Sequence, residues 1–110
     1  MQLFADFQRV CTTVLVVSRY RVPELESVEF GGRAADALAA LADQPGFLRG
    51  SVGRHIDEPD LWVLSTQWIN VGAYRRALSS YDVKTRAVPV MMHALDEPSA
   101  FEVKVARGDD

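Results

Sequence analysis

Residues 44–80, QPGFLRGSVGRHIDEPDLWVLSTQWINVGAYRRALSS, constrain the fold more than any other part of this 110-residue chain. They carry the signals of a helix end, a strand, a turn, a second strand and a new helix. Gln44, Pro45 and Gly46 stop a helix. Residues 47–56 read as a strand. Asp57, Glu58, Pro59 and Asp60 supply turn chemistry, because Asp bonds its own backbone and Pro presets φ. Residues 61–68, rich in Leu, Val, Thr and Trp, read as a second strand. Asn70 then caps a helix: its side-chain oxygen accepts an N–H of the first turn that has no partner inside the helix.

Upstream, residues 11–22 (CTTVLVVSRYRV) form the clearest strand, and Val14 to Val17 are apolar on both faces. Such a strand must be covered twice. Pro23 ends it and Ser27 is placed to cap the next helix, with Glu29 near the positive end of the dipole. Phe30, Ala34, Leu38 and Leu41 then share one helical face. Gly31 and Gly32 weaken the first turns by roughly 1 kcal/mol each relative to alanine, so a late or irregular start is expected. After Asn70, Val71, Tyr74, Leu78 and Tyr81 line one helical face. Ser80 or Asp82 caps a short third helix, which Pro89 should end. Residues 90–98 give no clear pattern. In residues 101–105, Phe101, Val103 and Val105 alternate with Glu102 and Lys104, as in a half-buried strand.

The order β-α-β-β-α-(α)-β is that of a ferredoxin-like α+β domain: an antiparallel sheet with helices on one face. A single domain is expected over residues 1–110, with 1–10 as an N-terminal extension and 108–110 frayed. One helix layer leaves a broad apolar sheet face bare, and such faces mark interfaces. A homodimer joined sheet to sheet would cover it.

Composition narrows the function classes. The net charge of −3 gives no nucleic-acid footprint, and Cys11, the only cysteine, rules out an intrachain disulfide and a cysteine-based zinc site. No metal-ligand cluster and no Gly-rich phosphate loop is evident, so neither a metal nor a nucleotide cofactor is expected. Residues 1–10 lack the pattern of a signal peptide, and no run reaches the roughly 18 apolar residues of a membrane span. A soluble cytoplasmic protein is the expectation.

The run PGFLRGSVGRHIDEPDLWVLSTQW, then INVGAYRRALSSYDVK and ALDEPSAFEV, resembles the antibiotic biosynthesis monooxygenase family. The resemblance spans roughly residues 14–105, most of the chain. It implies a homodimeric α+β barrel with a pocket between each sheet and its helices. Some members oxidise anthrone-type aromatics with O₂ without metal or flavin. Others degrade haem or handle small quinones. Haem-degrading relatives use an Asn in the first strand and a His on the helix after the Trp. Here the strand centre is Val14–Val17 and residues 71–80 contain no histidine, which argues against haem.

In the anthrone-oxidising members a Trp and a Tyr spaced like Trp68 and Tyr74 line the pocket. The resemblance therefore implies catalytic roles for both. A Tyr hydroxyl can donate to an enolate oxygen, and a Trp can stack on a ring and offer its N–H. Packing in the core is the alternative for each. Asn70, Arg86 and His93 are the candidate substrate-binding residues. The other reading of Asn70 is a helix cap, of Arg86 a solvated charge and of His93 a structural histidine. His93 is also a candidate general base, since its residue type titrates near neutrality. The leading reading is a cofactor-independent monooxygenase acting on a small aromatic, enolisable substrate. The alternatives are a non-catalytic dimeric binding protein of the same fold, and an isomerase or cyclase using the same pocket.

Overall fold

A computed structural model of the chain describes residues 12–108. The expectations for residues 1–10, Cys11 and the last two residues lie outside that range. The elements follow the order read from the sequence: β1 (Val14–Arg21), α1 (Ser27–Ala42), β2 (Phe47–Arg54), β3 (Leu61–Trp68), α2 (Val71–Leu78), α3 (Tyr81–Arg86), α4 (Val88–Met91) and β4 (Ala100–Glu102). The four strands form one antiparallel sheet in the order β2-β3-β1-β4. This is the ferredoxin-like arrangement, with the helices on one face.

Register explains which residues face the helices. Val14, Val16, Ser18 and Tyr20 sit opposite Trp68, Thr66, Leu64 and Trp62. Successive strand side chains alternate, so these eight share one face. All but Trp62 are buried. α1 lays Ala34, Ala37, Ala40 and Leu41 on this face, with Phe30 and Leu38 packed at its margin. The small residues let helix and sheet approach closely. At Gly50, on β2, a Cβ would come within 2.6 Å of Leu38 Cδ1. Removing roughly 200 Å² of Trp68 ring from water contributes about 5 kcal/mol at ~25 cal/mol/Å².

Several boundaries differ from the sequence reading. β2 ends at Arg54, and Ile56 is exposed. Ser27 is the first residue of α1 rather than its cap: a 3₁₀ turn at Glu24–Glu26 leads straight in, and Gly31 and Gly32 do not delay the helix. On α2 the buried residues are Ala73 and Ala77; Tyr74 and Leu78 are half-buried, while Val71 and, at the start of α3, Tyr81 face solvent. The inward stripe is rotated toward the alanines because they allow the helix nearer the core. Pro89 does not close a helix but opens one: it stands in the first turn of α4, where its missing N–H has no helical partner to lose. β4 has three residues, all exposed, instead of a half-buried strand over 101–105, because it is an edge strand paired only with β1.

The other sheet face carries Leu15, Val17, Val63 and, on β4, Phe101. The first three are half-buried and Phe101 is exposed. No described helix packs on this side.

Candidate functional site

The space between sheet and helices is walled by aromatic rings. Trp68 ends β3 and is fully buried. Its ring meets Phe47 edge-on with centroids 5.3 Å apart, and Tyr74 at 5.8 Å with a 50° tilt. Asn70 sets this contact. Its Oδ1 accepts the Ala73 N–H at 2.8 Å, starting α2 so that Tyr74 returns toward the sheet one turn later. The Trp68 indole N–H donates to Thr66 Oγ1 at 2.9 Å, so that donor is committed within the protein.

Tyr20 completes the layer from β1. It is 1% exposed, and its ring lies 5.3 Å from Phe30, which lies 5.3 Å from Trp62. The Tyr20 hydroxyl is 2.9 Å from Ser18 Oγ. Two hydroxyls sharing one bond leave one O–H over as a donor. Burial raises the Tyr20 pKa, and the Ser18 bond offsets part of that rise. Burial also raises Tyr74, and the proximity of Tyr20 adds to it, since two phenolates would repel. Both phenols therefore hold their protons at neutral pH and can act as donors.

A cavity of about 300 Å³ opens beside Tyr20, between the end of β1, the first turns of α1 and the segment carrying α4. Its apolar lining includes Tyr20, Phe30 and Val90, and its polar lining includes Glu29, Arg33 and His93. This volume is at the small end of the range for ligand pockets. A second hollow of about 460 Å³ runs between α1 and the α3–α4 region and shares Glu29, Arg33 and Val90 with the first.

The sequence-predicted residues divide in this geometry. Trp68 and Tyr74 are in contact with each other, but neither is part of the lining of the 300 Å³ cavity; His93 is. Asn70 serves as the cap of α2. Arg86 lies in the second hollow and is held by Asp36 at 2.7 Å and Asp82 at 2.8 Å, which raise its pKa. A ligand oxygen would have to compete with two carboxylates for it. His55 accepts the Asp57 and Glu58 amides through Nδ1 and organises the β2–β3 turn. Ser18, Phe30 and Arg33 were not among the sequence candidates. The inward alternation of β1 and the shared face of Phe30 on α1 hint at the aromatic pair, but the cavity itself depends on the placement of α4. Among the described residues no group of three His, Cys, Asp or Glu is arranged to hold a metal ion, and no helix is long and apolar enough to cross a membrane.

A ferredoxin-like sheet with one helix layer over an aromatic-walled cavity defines an α+β class. Residues 13–87 match the family model of the antibiotic biosynthesis monooxygenases, and the chain belongs to that family. At family level this supports a monooxygenase-type function. Among solved structures, a mutant of SnoaB, a cofactor-independent oxygenase from Streptomyces nogalater, is 27% identical, covers 88% of this chain and 98% of its own, and has a TM-score of 0.76. An inferred antibiotic biosynthesis monooxygenase from Deinococcus radiodurans is 17% identical over 88% of this chain and 98% of its own, TM-score 0.71. Another from Caulobacter crescentus CB15 is 15% identical over 93% and 99%, TM-score 0.69. No curated protein matches the chain.

Proposed function

We propose that the protein oxidises a small aromatic, enolisable substrate with O₂ and without a cofactor. The observation that carries this reading is the 27% identity to SnoaB, described as a cofactor-independent oxygenase, across nearly the full length of both chains. In the reaction an activated CH₂ carbon loses two hydrogens and gains one oxygen atom. The second oxygen atom leaves as water, so CH₂ and O₂ give C=O and H₂O. The first step is loss of a C–H proton to a base, for which His93 is the candidate at the cavity. The electrons left on carbon then reduce O₂.

The protein's part is to hold a planar ring, stabilise the enolate oxygen and keep bulk water out. In this reading Tyr74, which lies beside Tyr20 rather than in the cavity lining, donates its hydroxyl to the developing oxyanion once the substrate reaches past Tyr20. Trp68 backs the Tyr74 ring and is not a donor, because its N–H is bound to Thr66. Asn70 and Arg86 act on the substrate indirectly: Asn70 fixes the start of α2 and Arg86 ties α3 to α1. The reading includes a homodimer that buries Leu15, Val17 and Val63, which light scattering at micromolar concentration would check.

The test is oxygen consumption with dithranol by metal-free, flavin-free protein. Turnover well above the buffer rate supports the proposal. Protein no faster than buffer across several anthrones would favour the non-catalytic binding protein, for which the full burial of Trp68 also speaks. Product without oxygen uptake would indicate an isomerase or cyclase.

A further inference from the structure

The arginines around the hollows account for their charge with one exception. Arg19 is paired with Glu97 at 2.7 Å, and Arg21 with Glu58 at 2.8 Å and Asp60 at 3.2 Å. Arg54 donates to Pro59 O at 2.6 Å and lies over the Trp62 ring at 5.2 Å. Arg86 is held by Asp36 and Asp82. Arg33 has no hydrogen bond or ion pair to any described residue, yet it lines both the 300 Å³ cavity and the 460 Å³ hollow. An isolated arginine on an open surface would be an ordinary solvated charge. Arg33 is exposed, but it stands on the ridge between two concavities.

Its neighbours give it a partner chemistry. Phe30 and Arg33 are three residues apart on α1, so they are adjacent on the helix surface. A flat ring lying against Phe30 and Tyr20 would carry a substituent oxygen toward the guanidinium. Glu26 and Glu29 also line the cavity, which disfavours a ligand with several negative charges. Guanidinium favours planar, delocalised oxyanions and is more weakly hydrated than an ammonium. We infer that Arg33 is a specificity-determining residue of this protein, receiving the single acidic oxygen of a planar aromatic ligand whose ring lies against Tyr20 and Phe30. The inference rests on the aromatic-substrate reading above and deepens it: the substrate would be recognised in its ionised form.

The test uses two flat ligands of nearly equal shape that are not oxidised, 2-naphthoate and uncharged 2-naphthamide, titrated calorimetrically. Wild-type protein should bind the carboxylate at least about 10-fold tighter, the size of one partly exposed charge-assisted hydrogen bond. Arg33→Gln should bring the ratio close to one while leaving naphthamide affinity unchanged, and Arg33→Lys should restore part of the preference. Arg76→Gln, an exposed position on α2, should keep the wild-type ratio. Arg33 has no partner to lose among the described residues, so its variants should fold, which circular dichroism verifies. A preference retained in Arg33→Gln, or wild-type protein that binds neither ligand, overturns the inference. The oxygenase reading is tested separately. A preference abolished by Arg33→Gln in a protein that consumes no oxygen keeps the inference and removes the oxygenase. Oxygen uptake with the same KM in wild type and Arg33→Gln does the reverse.

Discussion

Gly46→Ala tests whether the junction behind the candidate site is as tight as it looks. Gly46 has φ of 90°, a conformation that side chains disfavour. Holding an L-residue in that region costs about 1–2 kcal/mol. A Cβ there would also stand 2.5 Å from the Ala73 Cβ and 3.1 Å from Ile69 Cγ1. The Ala73 Cβ is fixed to the α2 backbone and cannot rotate away, so the helix must shift, and overpacking of this kind costs typically 1–3 kcal/mol. Together the expected destabilisation is about 3 kcal/mol. At a urea slope of ~2 kcal/mol/M this moves the midpoint down by ~1.5 M. Gly32→Ala is the matched control. Nothing lies within 4 Å of its Cβ position on exposed helix, so it should stabilise by about 0.5–1 kcal/mol. Both are measured by urea unfolding at one fixed protein concentration, since self-association shifts apparent stability. A Gly46→Ala loss below ~1 kcal/mol, or shifts of the same sign in the two variants, would refute the argument.

Two further outcomes follow from the site and its surroundings. Tyr74→Phe keeps the ring against Trp68, so it should fold with little change in midpoint but lose about 100- to 1000-fold in oxygen-uptake turnover if its hydroxyl stabilises the oxyanion; an equally active variant would remove Tyr74 from the chemistry. Asp36 and Glu97 have pKa values lowered by hydrogen bonds to Arg86 and Arg19. A folded pKa below the unfolded one contributes stability that is complete above the ordinary values of 3.8 and 4.5 and is lost as pH falls through the lowered ones. Both carboxylates are exposed, so the amplitude should be small; Asp36→Asn should flatten the acid limb of the stability–pH curve, and an unchanged limb would show that the Arg86 pairing contributes nothing.

What could be read in the sequence was local. The β2–β3 unit came from turn chemistry at Asp57–Asp60 and apolar runs on either side, and Asn70 and Ser80 cap the helices where their residue types require it. The bare sheet face was visible in the double-sided apolarity of Val14–Val17. Pairings between distant residues were not legible. Arg86 looked like a free cation because Asp36, its partner, lies 50 residues away in the chain. Arg33 and Arg86 look alike as residue types; only packing of α3 on α1 quenches one and leaves the other. The inward stripe of α2 was misjudged because Tyr81 is the larger apolar residue, whereas close helix approach favoured Ala73 and Ala77. Residues 90–98 have no periodicity to read, since most of that segment is turn and loop anchored by backbone bonds such as Leu95 N–H to Arg19 O at 2.8 Å.

The family match ends at Ala87, one residue before α4 begins. The segment that follows closes the cavity with Val90 and His93, yet it gives the core only one buried residue, Val90. The shared architecture thus carries eight of the ten residues that line the cavity, and the segment after Ala87 adds the other two. Substitutions, or even insertions, after Pro89 could reshape the cavity while the sheet, α1 and the rings of Tyr20 and Phe30 stay as they are. Divergence among relatives would then concentrate where it costs least stability, so that one scaffold could change its chemical clientele by rewriting about ten residues of loop.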